Sequence, residues 1–329
     1  MRILVTGGLG TVGTILVKEL RRRGHEVWSC DLAHDHDRLY VRCDVSQYRQ
    51  IQQLIASHRF DFVYHLAAEF GRWNGEDYYE NLWMTNVVGT KNLLRLQETY
   101  RFKMVFFSSS EVYGDWEDIM SEHVMDRQEV RQLNDYAMTK WVSEMQVMNH
   151  SRMSNTENVR VRLFNTYGPG EYYSPYRSVA CRFAYSALHD QPYEVFLNHH
   201  RTSTYVTDTV RTLANITNNF KPGEVYNIGG NEYHDIKYLS DLILQYLHKT
   251  DDFVVYKESE PFTTRDKKID IGKAERDLDH RPLVRLEEGI GLTLQWMKDV
   301  YKETIPCPES VLSYPISTTA GSLEKQLIM

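Results

Sequence analysis

The chain has 329 residues, 42% of them apolar and 25% charged, and its formal net charge is −7. This length and composition predict a globular protein with one large α/β unit and a smaller lobe. The acidic balance argues against broad nucleic-acid binding, which needs a basic surface. No apolar run approaches the ~18 residues that cross a bilayer, and the N-terminus lacks a signal-peptide pattern. We therefore expect no membrane partner and a cytoplasmic location.

The cysteines are widely spaced and form neither a CxxC pair nor a Cys/His cluster. Such spacing predicts no zinc site, no other metal site and no disulfide framework. We expect free, buried thiols at Cys30, Cys43, Cys181 and Cys307.

Strands and helices alternate in the pattern of residues 1–165. The predicted strands are Arg2–Thr6, Glu26–Cys30, Leu39–Arg42, Phe60–Leu66, Met104–Ser108 and Val159–Phe164. The helices predicted between them are Thr11–Arg23, Gln47–Ser57, Tyr79–Tyr100 and Asn134–His150. This alternation predicts right-handed crossovers and a Rossmann-type, doubly wound parallel sheet that is covered on both faces.

The pattern becomes less regular after Gly168-Pro169-Gly170. Helices are predicted at Arg177–His189 and Ile236–Leu247, and a strand at Phe253–Tyr256. We expect a cofactor-binding domain over residues 1–168 and a smaller substrate-binding lobe over 169–304, interleaved with late sheet elements. Residues 305–329 are expected to form a poorly ordered tail.

A glycine-rich turn, Thr6–Gly13, joins the first strand to the first helix. Glycine permits the tight turn and close approach of the backbone to a pyrophosphate, which the helix N-terminus then favours electrostatically. Asp31 ends the second strand, where a carboxylate can bind both ribose hydroxyls and repel a 2′-phosphate. We therefore predict NAD rather than NADP; the alternative is that Asp31 only caps a turn. The other predicted contacts lie in the glycine-rich turn and at the ends of the third and fourth strands: Gly7, Gly10, Thr11, Val12, Gly13, Asp44, Val45, Leu66, Ala67 and Ala68.

Tyr136 and Lys140 are four residues apart on a predicted helix, so their side chains share one face. The helix follows the segment 108–114, at the carboxyl end of a parallel strand, where ligands bind in such sheets. Removing hydride from an alcohol requires a base, and a free phenol titrates near pH ~10. We expect the adjacent ammonium and a positive nicotinamide ring to lower the pKa of Tyr136, and both residues to contact the cofactor.

Ordered motifs over residues 1–300 resemble the extended short-chain dehydrogenases that modify sugar nucleotides, namely epimerases, 4,6-dehydratases and uronate decarboxylases. The motifs include TGGLGTVG at 6–13, HLAA at 65–68, SSSEVYG at 108–114, YAMTK at 136–140, RLFNTYGPGE at 162–171 and RTSTYVTD at 201–208. The resemblance implies that Tyr136 is the base, that Lys140 is its partner and that Ser109 is the catalytic hydroxyl. It also implies a homodimer built on the helices over 79–100 and 134–150.

The same resemblance implies a set of substrate-binding residues. Asn165 and Arg201 are expected to contact the substrate diphosphate, with Arg177 assisting and Arg265 as a further candidate. An arginine fork suits this contact. Two segments, 69–75 and 197–200, depart from the family pattern at places that should border the sugar pocket, which favours an uncommon substrate. Arg72 and Trp73 are then candidates to reach the sugar; simple loop packing is the alternative.

The Ser110-Glu111 pair bears on the reaction. It resembles uronate decarboxylases and the GDP-mannose type of 4,6-dehydratase, which implies a catalytic role for Glu111 and substrate contact for Ser110; the alternative is a local hydrogen bond only. We therefore expect modification of a nucleoside-diphosphate sugar through a 4-keto intermediate, by decarboxylation of a UDP-uronate or by 4,6-dehydration. A 4-epimerase, a dehydrogenase or ketoreductase with exchangeable cofactor, and a non-catalytic NAD sensor are the alternatives.

Overall fold

The computed structural model describes residues 1–301. Its strands, in chain order, are β1 (Arg2–Thr6), β2 (Glu26–Asp31), β3 (Tyr40–Arg42), β4 (Phe62–His65), β5 (Lys103–Ser109), β6 (Asn158–Leu163), β7 (Thr166–Tyr167), β8 (Tyr193–Phe196), β9 (His200–Thr202), β10 (Thr204–Tyr205), β11 (Val225–Ile228), β12 (Tyr233–Asp235), β13 (Val254–Lys257) and β14 (Asp266–Lys267). Its helices are α1 (Thr11–Arg22), α2 (Tyr48–His58), α3 (Arg72–Asp77), α4 (Tyr79–Trp83), α5 (Gly89–Tyr100), α6 (Val124–Arg127), α7 (Asp135–Ser154), α8 (Val179–Leu188), α9 (Val206–Asn215), α10 (Ile236–Leu247), α11 (Gly272–Leu278) and α12 (Leu286–Val300).

A seven-stranded sheet in the order β11-β6-β5-β4-β1-β2-β3 forms the centre of the molecule. Every neighbouring pair in it is parallel. The middle strands are apolar and buried on both faces, as Ile3, Leu4 and Val5 of β1 show, because crossover helices cover both sides of a parallel sheet. The predicted fold class, a Rossmann-type doubly wound sheet, is confirmed.

The strand order reverses beside β1, whose two neighbours are β2 and β4. The connections that leave the carboxyl ends of β1 and β4 run to opposite faces of a doubly wound sheet, and a crevice opens between them. The glycine-rich turn follows β1, and residues 66–68 follow β4, so the sequence motifs for the cofactor lie at this crevice.

The helix predicted over residues 79–100 contains one irregular turn. α4 and α5 are joined by a single π-helical turn, Met84–Val88, and such turns occur often at functional sites. The predicted helix that carries Tyr136 and Lys140 is α7. Its N-cap is Asn134, whose side chain accepts a hydrogen bond from the Ala137 amide at 2.8 Å, which fixes where the helix begins.

A second apolar core forms around α8, α10 and α12, and three small strand groups accompany it. The chain then returns to the apolar core of the large sheet. Val206 and Leu213 of α9 pack in that core, and Ile228 belongs to β11, the edge strand of the sheet. The elements after residue 168 are thus interleaved, while the boundaries at 168 and 304 stay predictions and the tail over 305–329 lies outside the described residues. No helix in residues 1–301 is long and apolar enough to span a membrane. Three cysteines are buried and free, Cys30, Cys43 and Cys181; Cys307 is outside the described part.

Candidate active site

A cavity of about 550 Å³ fills the crevice at the carboxyl ends of β1 and β4. Every residue that the sequence predicted to bind the dinucleotide lines it: Gly7, Gly10, Thr11, Val12, Gly13, Asp31, Asp44, Val45, Leu66, Ala67, Ala68, Tyr136 and Lys140. These residues come from five separate stretches of the chain, and the fold brings them to one surface.

The glycines of the first turn let the backbone pack more closely than any side chain would allow. Gly7 has φ +71°, and a Cβ there would lie 2.7 Å from the amide nitrogen of Ala67. A Cβ on Gly13 would lie 2.1 Å from the carbonyl oxygen of Gly7. No side chain caps the first turn of α1, so its N–H groups remain for an anion. The chain therefore fits a dinucleotide at this point.

Asp31 caps the turn and still fits a ribose. Its carboxylate oxygens accept hydrogen bonds from the amides of Leu9, at 3.0 Å, and Leu32, at 2.7 Å. Each carboxylate oxygen can accept a second bond, so the cap leaves capacity for ribose hydroxyls. Asp44 likewise accepts a bond from the Ser46 amide at 2.9 Å while lining the cavity.

Ser109 and Tyr136 meet beside this cavity. Ser109 ends β5, Tyr136 lies in the first turn of α7, and both line this cavity; the Ser109 side chain acts to lower the pKa of the Tyr136 phenol. Lys140 lies one turn further along α7, where its ammonium donates to the Phe107 carbonyl at 2.9 Å and lies 5.9 Å from the centre of the Tyr136 ring. The structure thus brings the predicted catalytic hydroxyl, phenol and ammonium together.

The ionisation of this group differs from the sequence expectation. Burial raises the pKa of Tyr136 to about 12, against the effect of the Ser109 hydrogen bond, and nearby Glu111 raises it too. Burial lowers the pKa of Lys140 to about 7, although Glu144 opposes this. Among the protein's own groups, desolvation therefore outweighs the ammonium that was expected to favour the phenolate. A bound nicotinamide ring supplies the further positive charge that this chemistry needs.

A second cavity, of about 270 Å³, shares Ser109, Tyr136, Asn165 and Arg177 with the first. Tyr136 therefore stands where the two cavities meet, as a base acting between cofactor and substrate requires. The predicted substrate residues Ser110, Asn165, Arg177 and Arg201 line this second cavity.

Arg265 does not join them. Its side chain is exposed and lines neither cavity. It contributes only its main-chain carbonyl, which accepts a hydrogen bond from the Arg201 guanidinium at 2.6 Å. Two residues later, Lys267 of β14 stands opposite Arg201 of β9 in the strand register, and its buried ammonium bonds to Glu111, which lines the second cavity.

Glu111 is held as an anion in the wall of the second cavity. Burial alone would raise its pKa, but the charges of Lys267, Arg72 and Arg201 together lower the pKa to about 2. Lys267 also donates a hydrogen bond to its carboxylate. Burial lowers the pKa of Lys267 to about 8, against the attraction of Glu111.

Both segments that depart from the family pattern line the second cavity. Arg72 and Trp73 come from the first, and His199 from the second. The Arg72 guanidinium donates to the Glu260 carboxylate at 2.7 Å, and the Trp73 ring meets Phe262 edge-to-face with centroids 5.5 Å apart. The two loops, around 71–73 and 260–262, thus close one side of the cavity.

Sequence reasoning missed Arg182, Glu260 and Lys267. The Nε atoms of Arg177 and Arg182 are buried without a hydrogen-bond partner, and both residues line the second cavity. A charged residue in the otherwise apolar helix α8 is a signal that could have identified Arg182. Glu260 and Lys267 lie in an irregular stretch with no spacing to single them out.

Comparisons with known proteins agree with this geometry. The sequence profile of the "NAD dependent epimerase/dehydratase family" matches residues 3–229. A UDP-N-acetyl-alpha-D-glucosaminuronate decarboxylase of Bacillus cytotoxicus is 29% identical over 323 residues, covering 91% of this chain and 98% of that protein. The crystal structure of UDP-glucuronic acid 4-epimerase from Bacillus cereus, in complex with UDP-glucuronic acid and NAD, superposes with a TM-score of 0.83 at 25% identity, covering 92% of this chain and all (100%) of that one. UDP-glucose 4-epimerase of Thermotoga maritima gives a TM-score of 0.84 at 25% identity, over 91% of this chain and 99% of that one. The chain therefore belongs to the NAD-dependent epimerase/dehydratase family of extended short-chain dehydrogenases, and NAD is its cofactor.

Proposed function

We propose that the protein modifies a nucleoside-diphosphate sugar through a 4-keto intermediate, and that the reaction is decarboxylation of a uronate. The observation that carries the first part is the position of Ser109 and Tyr136 at the junction of the two cavities, both of which they line. Tyr136 takes the proton of the sugar's 4-hydroxyl, and Ser109 holds that oxygen. NAD, when bound, accepts hydride from carbon 4 and later returns it.

The substrate diphosphate is proposed to bind at Arg177, Arg182, Arg201 and Asn165. The buried, unpartnered Nε atoms of Arg177 and Arg182 support this, because a desolvated guanidinium without a partner is costly unless a ligand completes its hydrogen bonds. Arg201 is oriented by its bonds to the carbonyls of His200 and Arg265, at 2.8 and 2.6 Å.

The state of Glu111 favours decarboxylation over dehydration. Dehydration needs a base to take the proton from carbon 5, and a carboxylate with a pKa of about 2 is a weak base. A 4-keto uronate is a β-keto acid, which loses carbon dioxide without any base at carbon 5. The cations around Glu111 stabilise the enolate that this loss leaves. Relatives named as uronate decarboxylases agree with this choice.

We propose a homodimer through the surface formed by residues 79–100 and α7. Large apolar side chains stand exposed there, among them Tyr79, Met84, Val88, Met138 and Met145. An apolar row of this kind on a helix pair is typical of an interface. Analytical ultracentrifugation tests it: the wild type should sediment as a dimer, and Met145→Glu should shift it toward monomer. The proposed location is the cytoplasm, which cell fractionation would check.

Mass spectrometry of sugar nucleotides incubated with the enzyme and NAD tests the reaction. UDP-glucuronate and UDP-N-acetylglucosaminuronate should lose the mass of carbon dioxide, while neutral UDP-, GDP-, TDP- and CDP-hexoses are unchanged. Loss of water from a neutral hexose would establish dehydration instead. An unchanged mass with altered NMR couplings at carbon 4 would establish epimerisation, and net NADH release would establish a dehydrogenase.

A further inference from the structure

Arg72 belongs to the loop that departs from the family pattern, and it points to the reactive end of the second cavity. It begins α3, directly after β4 and its connecting loop. Its side chain is only 15% exposed, and it lines the cavity together with Ser109, Glu111 and Tyr136. A buried guanidinium beside the catalytic pair is placed to meet the sugar rather than the nucleotide.

The carboxylates near Arg72 do not neutralise all the positive charge around it. Glu111 is already paired with Lys267. Glu260 contacts Arg72 at 2.7 Å and Arg201 at 3.6 Å. The charge of Arg182 acts on Glu260 as well. Four carboxylates line this cavity, and two of them, Glu111 and Glu194, are paired with Lys267 and Lys257. The remaining two, Glu171 and Glu260, stand beside four arginines, Arg72, Arg177, Arg182 and Arg201, which leaves room for further negative charge on a ligand.

The guanidinium of Arg72 also keeps hydrogen-bonding capacity. One terminal nitrogen donates to Glu260, and the other makes a long bond of 3.4 Å to the Pro261 carbonyl. A guanidinium has five N–H groups in a fork, so several remain after these contacts. The fork geometry matches a carboxylate, and a neutral hydroxymethyl group offers it no charge.

The surrounding loops hold this group in place. Trp73 packs edge-to-face on Phe262. The Phe262 carbonyl accepts a bond from the Asn134 side chain at 3.0 Å, and Asn134 is the N-cap of α7. The loop pair that carries Arg72 and Glu260 is therefore tied to the helix that carries Tyr136.

We propose that Arg72 selects an acidic sugar, by binding the carboxylate at carbon 6 of a uronic acid, and that Glu260 competes for the same guanidinium. This inference rests on the proposed function and names the residue that decides its substrate class. Binding of the sugar carboxylate draws the Arg72 fork toward the sugar, and Glu260 keeps Arg201 and Arg182 as its partners.

Isothermal titration of the NAD-loaded protein with UDP-glucuronate and UDP-glucose tests it, with every protein compared also carrying Tyr136→Phe so that the uronate is not turned over during the titration. The wild type should prefer the acidic sugar by at least about tenfold, a difference expected of one charge-assisted contact. Arg72→Gln should remove this preference while its affinity for UDP-glucose and for NAD stays at the wild-type value. Glu260→Gln should enlarge the preference, because it removes the competitor. Arg281→Gln, at an exposed arginine, is the matched control and should change neither affinity.

The outcomes distinguish failure of the Arg72 inference from failure of the proposed function. If Arg72→Gln weakens both sugar nucleotides equally, Arg72 only closes the loops and the inference is wrong. If the wild type binds both equally well, the proposed sugar-nucleotide function survives and the acidic selectivity does not. If the wild type binds NAD but neither sugar nucleotide, the proposed function fails and the inference fails with it.

Discussion

The ammonium of Lys267 donates a hydrogen bond to the carboxylate of Glu111, although the residues lie 156 positions apart in the chain. The pair is nearly closed to water, with side chains 3% and 18% exposed. Because burial alone would raise the pKa of Glu111, its low pKa of about 2 depends on Lys267 and its neighbours Arg72 and Arg201. Lys267 is a positioning residue that keeps Glu111 ionised.

Replacing Lys267 should therefore change the pH dependence of turnover. In Lys267→Met, the pKa of Glu111 should rise, so the acid limb of the kcat/KM profile should move upward by about one to three pH units. Lys267→Arg should restore the wild-type profile, and Lys268→Met, at the exposed neighbour, should leave it unchanged. An identical acid limb in Lys267→Met and the wild type would refute the assignment.

Tyr136→Phe should remove turnover while leaving the fold intact. The hydroxyl group that takes the substrate proton is lost, and positioned acid–base groups contribute roughly 10²–10⁴-fold to rates. The fall should appear in kcat, with NAD affinity and melting temperature close to wild type. Tyr246→Phe removes an exposed hydroxyl that only donates to the Glu287 carbonyl, and it should be fully active. Retention of more than about a tenth of kcat in Tyr136→Phe would exclude a phenol base.

Gly13→Ala should abolish NAD binding, since the added Cβ would lie 2.1 Å from the Gly7 carbonyl oxygen and the turn would have to move. Gly24→Ala is the matched control. Gly24 has positive φ, +85°, which makes it the more strained of the two sites for alanine, but no atom lies within 4 Å of its Cβ position. It should cost about 1 kcal/mol of stability and no NAD affinity. Quenching of protein fluorescence by NADH measures the cofactor affinity of each variant. Equal affinities in the two variants would contradict the steric argument.

Glu144→Gln should be strongly destabilising. Arg162 binds Glu144 through two bonds of 2.8 Å, and both side chains are almost wholly buried. Leaving a buried guanidinium without its anion costs roughly 3–5 kcal/mol. Glu194→Gln breaks an exposed pair with Lys257 and should cost less than about 1 kcal/mol. Urea denaturation compares them, and similar losses in the two variants would show that burial is not the deciding factor.

The same pair gives a pH dependence of stability. Burial would raise the pKa of Glu144, but Arg162 and Arg160 lower it below its ordinary value. A lowered carboxyl pKa means that the pair stabilises the protein fully above about pH 4.5 and loses this contribution as the pH falls toward the folded-state pKa. Glu144→Gln should flatten that part of the stability curve.

Local patterns allowed the cofactor crevice to be predicted from the sequence. Gly7 and Asp31 lie at strand ends, Gly13 lies in the first turn of the helix that follows, and parallel topology brings strand ends together. Tyr136 and Lys140 could be paired because helix geometry relates positions four apart. These predictions needed only short spacings and the direction of the sheet.

The second cavity is built by contacts between residues far apart in the chain, so less of it could be predicted from the sequence. Arg265 was predicted from the family resemblance alone, and Lys267 was not considered; the registration of β14 against β9, which places Lys267 beside Arg201, has no local signal in two residues. Glu260 and Arg72 meet across 188 positions. Burial of the Tyr136 phenol, which raises its pKa, depends on packing that spacing does not reveal.

A single turnover of UDP-glucuronate by the NAD-loaded enzyme tests the central claim most directly, with NADH absorbance and product mass followed in the same sample. NADH absorbance should rise and then fall back, and the product should lack the carboxyl group. NADH that accumulates in step with a product still bearing its carboxyl group, or carbon dioxide loss with no transient NADH in the wild type, would contradict it.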